Sequence, residues 1–201
     1  MTRVKAAILI SGRGTNMEAI LRAAKESHYP VEPILVVSNR PDAKGLNVAS
    51  DLGIATVAID HKAFAKDRER FERAVHAVLQ DHGIEMVVLA GFMRILTPWF
   101  VSQWAGRMIN IHPSLLPKYP GLNTHERAIM AHDAEAGCSV HWVTEGVDEG
   151  SVIAQARVRI RDGDTPSSLA DRVLQEEHKL YPNAVASAAH QILSQKKPLS
   201  V

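Results

Sequence analysis

Short apolar runs alternate with amphipathic segments through the first hundred residues, and Gly, Pro, Asn or Asp stands at each junction. This pattern is typical of βαβ units around a parallel sheet, whose strands are buried on both faces. The segment 66–82 places Phe71, Val75 and Leu79 on one helical face, which we expect to pack on the sheet. We predict strands at 6–10, 33–38, 55–59 and 85–90, and helices at 16–27, 44–52 and 66–82.

The second half of the chain has a less regular pattern, in which strand-like runs are separated by a Pro-rich loop and a short helix. Thr165-Pro166-Ser167-Ser168 has the composition of a helix N-terminus and opens an amphipathic helix toward His190. The tail after Ser194 is polar and expected to be loose, and no repeat or linker divides the chain. We predict strands at 108–111, 139–144 and 152–160, a loop at 113–121 and a short helix near 126–132.

Composition excludes several classes of protein. A chain of 201 residues with 46% hydrophobic and 22% charged residues has enough apolar material for one compact α/β domain. Its net charge is +1, so no global field attracts nucleic acid or an anionic membrane, and any anion must be held by a local site. Cys138 is the single cysteine, and no apolar run reaches the ~18 residues of a transmembrane helix. The first residues also lack the pattern of a signal peptide, so we expect a cytoplasmic protein.

A glycine-rich segment, S-G-R-G-T-N at 11–16, lies between the first predicted strand and the first predicted helix. At such a junction helix N-terminal amides point at a ligand, and glycines let an oxyanion approach closely. The segment lacks the Lys-Ser/Thr ending of a nucleoside triphosphate loop, and Met17 occupies the third glycine position of the dinucleotide motif. The segment therefore favours a monophosphate; the alternative is a glycine turn that only caps the helix. A ligand is also expected near 91–96, where the fourth predicted strand ends.

A second candidate site lies on the run M-I-N-I-H-P at 108–113. Side chains alternate along a strand, so Asn110 and His112 share the face opposite the neighbouring isoleucines. An amide can stabilise a developing oxyanion, and an imidazole can polarise a carbonyl or transfer a proton near neutral pH. The alternative is a histidine whose ring is satisfied by backbone groups at a strand end.

An acidic loop, T-E-G-V-D-E-G at 144–150, follows the predicted strand that carries His141. Asp148 is the candidate carboxylate in this loop, because a carboxylate beside an imidazole favours its charged form and accepts protons through a bound water. The alternative is an ordinary turn, in which Asp and Gly are common.

Ten histidines raise the alternative of a metal site, for which the possible ligands are His112, His125, His141 and Asp148. No H-E-x-x-H, H-x-H or cysteine cluster occurs, so we predict no metal. We expect Cys138 to be a small buried residue and not a catalytic thiol. Six other histidines are expected to be solvated on helices or loops: His28, His61, His76, His82, His132 and His190.

Four segments together carry a resemblance to a known family. They are S-G-R-G-T-N at 11–16, L-A-G-F-M-R-I-L at 89–96, N-I-H-P-S-L-L-P-K-Y-P-G at 110–121 and S-V-H-W-V-T-E-G-V-D at 139–148. With these segments in this order, the chain resembles the phosphoribosylglycinamide formyltransferases from near residue 4 to about residue 185. The resemblance implies a Rossmann-like formyltransferase fold: a mostly parallel sheet, helices on both faces and an antiparallel C-terminal part. Within one domain, 1–201, it implies a phosphate-binding half, about 1–100, and a folate-binding and catalytic half, about 101–190.

The reaction implied by the resemblance is transfer of the formyl group of 10-formyltetrahydrofolate to the amino group of glycinamide ribonucleotide, in purine biosynthesis, without a metal. The implied catalytic residues are Asn110 and His112, which would stabilise an oxyanion, and Asp148, which would position His112 and a proton-carrying water. The residues implied for the ribonucleotide are Gly14, Thr15, Asn16, Gly91, Pro113 and Glu177. Those implied for the folate are Arg68, Met93, Arg94, Ile95, Leu96, Asn110, Thr144, Glu145, Gly146, Val147 and Asp148.

One departure from the family pattern follows Asp148. The family more often has two glycines and a proline there, whereas this chain has Glu149, Gly150 and Ser151, which leaves the shape of the loop open.

Three other hypotheses compete with the transferase. Formyltetrahydrofolate hydrolases resemble this catalytic core but have an extra regulatory domain, for which 201 residues leave no room. Methionyl-tRNA formyltransferases share the folate half but add a nucleic-acid-binding domain, which the near-zero net charge disfavours. A sugar-phosphate sensor would bind without turnover, and the pairing of Asn110 with His112 favours an enzyme over it. We therefore expect two small-molecule substrates as partners, no nucleic acid, no membrane, and a monomer or homodimer.

Overall fold

A seven-stranded sheet forms the centre of the computed structural model, which describes residues 2–196. The strands are β1 (Val4–Ile10), β2 (Val31–Ser38), β3 (Ala55–Ala58), β4 (Met86–Leu89), β5 (Met108–His112), β6 (Glu135–Trp142) and β7 (Val152–Arg159). Their order across the sheet is β3-β2-β1-β4-β5-β6-β7. The first five are parallel, whereas β6 and β7 run antiparallel to their neighbours. The predicted α/β fold with an antiparallel C-terminal part is therefore confirmed.

Helices cover both faces of this sheet, because its central strands are apolar on both sides. Among the described residues the helices are α1 (Thr15–Ala23), α2 (Lys44–Asp51), α3 (Arg68–Asp81), α4 (Pro98–Gln103), α5 (Thr124–Met130) and α6 (Pro166–Lys196). One core lies between the sheet and α1 and α6, and the other lies beneath α3 and α4. Phe71, Val75 and Leu79 of α3 are buried, as their spacing predicts. None of these helices is long and apolar enough to cross a membrane.

Three loops meet at the carboxyl edge of the parallel strands. β1, β4 and β5 are adjacent, and they end at Ile10, Leu89 and His112. The glycine-rich segment, the 90–97 segment and the Pro-rich loop therefore begin side by side. Ligands of open α/β sheets bind at this edge, so the fold brings the two candidate sites of the sequence together.

Several element boundaries differ from those predicted. Helix α1 ends at Ala23, not near 27, because the amides of Lys25 and Glu26 bond carbonyls three residues back and tighten the chain into turns. Strand β6 begins at Glu135, not at 139, because its first residues pair with β7 although Ala and Gly give them little strand propensity. Helix α4 and a 3-10 turn at His61–Phe64 were not predicted, since both are too short to show a helical period.

The C-terminal helix and one histidine also differ from expectation. Helix α6 continues past His190 to Lys196, so the beginning of the tail after Ser194 is helical; the rest, 197–201, lies outside the described residues. His76 is not a solvated histidine, because its ring packs edge-on against Trp99 at 5.4 Å and Trp104 at 5.8 Å between centroids. The predicted burial of Cys138 is confirmed, since the residue lies fully buried in β6.

Candidate active site

Strand β5 presents a polar pair at its carboxyl end. Ile109 and Ile111 point into the core under α6, so the alternation of the strand turns Asn110 and His112 to the other side. His112 is buried, with 6% of its surface exposed. On the neighbouring strand β6, His141 pairs with Asn110, and the Asn110 amide nitrogen lies 3.3 Å from Nε2 of His141.

Asp148 lies between the two histidines. Its Oδ2 is 3.2 Å from Nδ1 of His112, and its Oδ1 is 3.5 Å from Nε2 of His141. The backbone amide of Gly121 donates a 2.9 Å hydrogen bond to Oδ2. The loop after β6 and the loop after β5 are thus joined through a single carboxylate.

The environment of Asp148 keeps it charged. Burial on its own raises the pKa of this carboxyl. Hydrogen bonds from His141 and from the Gly121 amide, with the charge of His112, outweigh burial and lower the pKa below the ordinary aspartate value. At neutral pH the site therefore contains a half-buried carboxylate next to two imidazoles.

The hydrogen-bond partners constrain where the imidazole protons lie. Nε2 of His112 is 2.9 Å from the carbonyl oxygen of Tyr119, and a carbonyl only accepts, so this nitrogen carries a proton. Nδ1 of His112 lies 3.2 Å from Oδ2 of Asp148, and a proton on this nitrogen would be donated to the carboxylate. By the same argument His141 carries a proton on Nδ1, which lies 2.9 Å from the carbonyl of Trp142, and its Nε2 faces both the Asn110 amide and Oδ1 of Asp148.

The glycine-rich segment forms a tight turn at the N-terminus of α1. Gly14 has a left-handed backbone, φ +73°, and a Cβ there would lie 3.1 Å from the Cα of Gly45. The amide of Gly45 donates to the carbonyl of Gly12, which fixes the turn against α2. The first amides of α1, at Thr15 and Asn16, therefore lie at the open end of a helix preceded by a turn with no side chain in the way, an arrangement suited to an anion.

Asn16 and Glu177 meet at the far end of this turn. The Asn16 amide donates a 2.6 Å hydrogen bond to the carboxylate of Glu177, which is buried on α6. Burial raises the pKa of Glu177, and the bond from Asn16 offsets only part of that shift. Oδ1 of Asn16 is buried and has no partner in the structure, so this pair still has an unused acceptor.

Ser11 ties the glycine-rich segment to the segment after β4. Its amide donates to the carbonyl of Gly91, and its hydroxyl oxygen accepts a 2.7 Å hydrogen bond from the amide of Met93. The hydroxyl donates in turn to Asn39 at 2.5 Å. The two ligand-facing segments are thus held in one arrangement by a buried serine.

The segment after β4 is apolar and open. Met93 and Ile95 are 72% and 65% exposed, which is unusual for large apolar side chains that lie close together. Leu96 instead packs on the core beneath α3, and Arg94 is half-buried. The segment ends at Thr97, whose amide and hydroxyl both donate to the buried carboxylate of Glu72.

The remaining predicted residues lie on α3 and in the loops after β5 and β6. Arg68 is exposed at the first turn of α3, one turn before Glu72. Pro113 accepts a hydrogen bond from the Thr124 hydroxyl through its carbonyl. In the acidic loop Thr144, Glu145 and Val147 are exposed, and the Glu149 carboxylate lies over Gly146, so the departure from the family pattern fills space beside a glycine.

Sequence reasoning missed the part that His141, Tyr119 and Gly121 play in the site. For His141 a signal was present, since it alternates with Ser139 on a strand next to the Asn110 face. For Tyr119 and Gly121 only backbone atoms are involved, and no residue type encodes them. Within residues 2–196 no group of three or more His, Cys, Asp or Glu side chains has the arrangement of a metal site, the combination of His112, His125, His141 and Asp148 included.

The sheet and the three loops at its carboxyl edge define an α/β protein with a glycine turn at a helix N-terminus and a cluster of Asn110, His112, His141 and Asp148. The family is shown by a match to the model of the formyl transferases over residues 4–185, so the chain belongs to that family. A phosphoribosylglycinamide formyltransferase from Escherichia coli (strain K12) is 46% identical over 179 residues, which cover 89% of this chain and 84% of that protein.

Solved structures and longer proteins agree with this assignment. The crystal structure of phosphoribosylglycinamide formyltransferase from Brucella melitensis matches with a TM-score of 0.89 and 47% identity, covering 94% of this chain and 96% of that one. The trifunctional purine biosynthetic protein adenosine-3 of Gallus gallus is 45% identical over 193 residues. These cover 94% of this chain but only 19% of that protein, so the chain is similar to one part of it.

Proposed function

We propose that this protein transfers the formyl group of 10-formyltetrahydrofolate to the amino group of glycinamide ribonucleotide, as a step in purine biosynthesis. The observation that carries the proposal is the contact of Asp148 with His112, beside Asn110, at the edge of the sheet where β1, β4 and β5 end. The family and the names of the similar proteins supply the reaction type.

Two ligands fit the two ends of the site. The ribonucleotide phosphate would bind the backbone amides of Thr15 and Asn16, which follow Gly14. Glu177, whose carboxylate accepts a hydrogen bond from Asn16, would also accept hydrogen bonds from the ribose. Gly91 and Pro113 would line the path of the glycinamide to the centre. In the segment from Met93 to Leu96 the exposed side chains of Met93 and Ile95 suit a flat pterin ring, and Arg68, Arg94 and the loop 144–148 would complete the folate side.

The chemical step needs one proton to move between two nitrogens. The neutral amine attacks the formyl carbon, a new C–N bond forms and the carbonyl electrons move onto oxygen. The amide of Asn110 would donate a hydrogen bond to this oxyanion, and His112 beside it would help to stabilise the negative charge. When the bond to N10 of the folate breaks, N10 takes up the proton that the amine loses, and Asp148 would guide that proton through a water.

The test is an absorbance assay for loss of the formyl group from 10-formyltetrahydrofolate, run with and without glycinamide ribonucleotide. Formyl loss only with the ribonucleotide would support the transferase, loss without it would indicate a hydrolase, and no loss in either case would favour a sugar-phosphate sensor. His112→Ala and Asp148→Asn should each reduce turnover about a hundredfold or more, as expected for acid-base and oxyanion groups. His190→Ala, at an exposed position of α6, is the matched control and should leave turnover unchanged. Near-normal turnover in both site variants would contradict the proposed roles.

We also propose a cytoplasmic protein, a monomer or homodimer, that binds neither nucleic acid nor membrane. The net charge of +1 supports the absence of nucleic-acid and membrane binding, because the chain has almost no excess of cationic residues to attract a polyanion. Sedimentation at several protein concentrations tests the oligomeric state, and co-sedimentation with tRNA or anionic vesicles tests the two excluded partners.

A further inference from the structure

The Pro-rich loop contacts the candidate catalytic histidine through a single backbone atom. The carbonyl oxygen of Tyr119 lies 2.9 Å from Nε2 of His112, and because a carbonyl only accepts, it keeps a proton on that nitrogen. Tyr119 has a left-handed backbone, φ +56°, which is unusual for a tyrosine. Such a conformation persists only where surrounding contacts hold it.

The side chain of Tyr119 has those contacts. Its hydroxyl donates a 2.9 Å hydrogen bond to Oδ2 of Asp133, and the guanidinium of Arg127 lies 5.0 Å from the centre of its ring. The ammonium of Lys118 also donates to Asp133, at 2.9 and 3.0 Å. Asp133 therefore anchors two consecutive residues of the loop from outside the active site.

Asp133 is itself well placed to act as an anchor. It lies between α5 and β6, and its amide donates to the carbonyl of Ala128 at the end of α5. The hydrogen bonds from Lys118 and Tyr119 lower the pKa of the Asp133 carboxyl, so it accepts them as a carboxylate at neutral pH. The anchor is thus fixed to the core through the backbone and to the loop through its side chain.

We propose that Tyr119 and Asp133 are positioning residues that hold the Tyr119 carbonyl against Nε2 of His112, so that Nδ1 points at Asp148. The proposal rests on the proposed function only in that His112 acts in the reaction. Without its hydroxyl, Tyr119 loses the hydrogen bond to Asp133 that holds its left-handed backbone. The Tyr119 carbonyl then moves away from His112, and the imidazole can adopt other orientations and protonation states. Catalytic groups displaced by an ångström or less lose much of their effect, so the defect belongs in turnover and not in substrate binding.

The first variant is Tyr119→Phe, which removes one oxygen and keeps the ring. We expect kcat to fall about tenfold while KM for each substrate stays within about twofold, because no substrate contact is removed. Tyr29→Phe is the matched control: it removes a buried hydroxyl that donates to the carbonyl of Pro182, a hydrogen bond outside the Pro-rich loop. It should lower thermal stability and leave kcat unchanged.

A second measurement does not depend on the reaction. The 15N chemical shifts of the His112 ring, assigned with His112→Ala, report which nitrogens carry protons in the resting protein. They should change in Tyr119→Phe and in Asp133→Ala, and stay close to the original values in Asp133→Asn, which keeps an acceptor for the tyrosine hydroxyl. If His112→Ala retains activity while the shifts respond as expected, the proposed function fails but the positioning does not. Unchanged shifts and unchanged kcat in Tyr119→Phe, or equal losses of kcat in Tyr119→Phe and Tyr29→Phe, would overturn the proposal.

Discussion

Gly14 gives a direct test of the anion-binding turn through one added methyl group. Its φ of +73° lies in the region that residues with a Cβ avoid, and the ideal Cβ position is 3.1 Å from both the Cα of Gly45 and the end of the Met17 side chain. Met17 can move, but the Gly45 backbone is held by its hydrogen bond to Gly12. Gly14→Ala therefore has to strain the turn or change its shape.

The strain amounts to about 1–3 kcal/mol, the usual range for a non-glycine residue held in a left-handed conformation with crowding. If the turn keeps its shape, the whole amount is lost from folding stability, at roughly 2–4 °C in Tm per kcal/mol for a chain of this size. If the turn relaxes, the loss moves to ribonucleotide binding, at about tenfold in Kd for each 1.4 kcal/mol. Because the contact at 3.1 Å is with backbone held by a hydrogen bond, we expect the turn to relax and most of the loss to appear in ribonucleotide binding.

The assay combines thermal unfolding with calorimetric binding of each substrate. Gly163→Ala is the control, because Gly163 has φ +79° but open space around its Cβ position, in a turn after β7. It should lose stability with no change in affinity. Gly14→Ala should weaken ribonucleotide binding about five- to a hundredfold and leave folate binding unchanged. Equal stability losses in the two variants with unaltered ribonucleotide affinity, or equal weakening of both substrates by Gly14→Ala, would refute the assignment of the turn.

Three further predictions concern buried groups. Glu177→Ala should raise KM for the ribonucleotide about tenfold, since Asn16 loses its partner, and an equal rise for the folate would contradict this. Burial raises the pKa of the Glu72 carboxyl, although the hydrogen bonds from Thr97 offset part of that shift. The stabilising contribution of Glu72 is therefore present at acid pH and is lost as the pH rises through this raised pKa. Glu72→Gln should therefore flatten the dependence of unfolding free energy on pH above the ordinary glutamate pKa of 4.5, and an unchanged slope would disprove the argument. Burial raises the pKa of Cys138 to about 12, so thiol reagents should label it only after unfolding, which rapid labelling of the folded protein would contradict.

The fold could be predicted from the sequence wherever the repeating pattern of apolar residues was long enough to detect. The strands β1, β2 and β4 and the apolar face of α3 were predicted correctly because their burial is dictated by an apolar run or by a sustained helical spacing. Strand β6 was placed too late, since its start depends on pairing with β7, a contact between distant parts of the chain. The end of α1 was not predicted correctly, because it depends on whether the amides of Lys25 and Glu26 bond to carbonyls three or four residues back.

Only the side chains of the candidate site could be predicted from the sequence. Alternation placed Asn110 and His112 on one face, and the glycine pattern placed a tight turn at the start of α1. The contacts that define protonation come instead from backbone groups, the carbonyl of Tyr119 and the amide of Gly121. Any residue has these atoms, so only the folded loop reveals them.

Backbone conformation also decides which substitutions at the site are informative. Asp148 has φ +56°, and this left-handed turn directs its carboxylate back to His112 and His141. Asp and Asn adopt that conformation more readily than other residues with a Cβ. Asp148→Asn therefore removes the charge with the turn retained, whereas Asp148→Ala adds strain of about 1 kcal/mol and mixes a change of shape with a change of charge. A large loss of turnover in Asp148→Asn with an unchanged Tm thus isolates the electrostatic part of the mechanism, which no truncation of this residue can do.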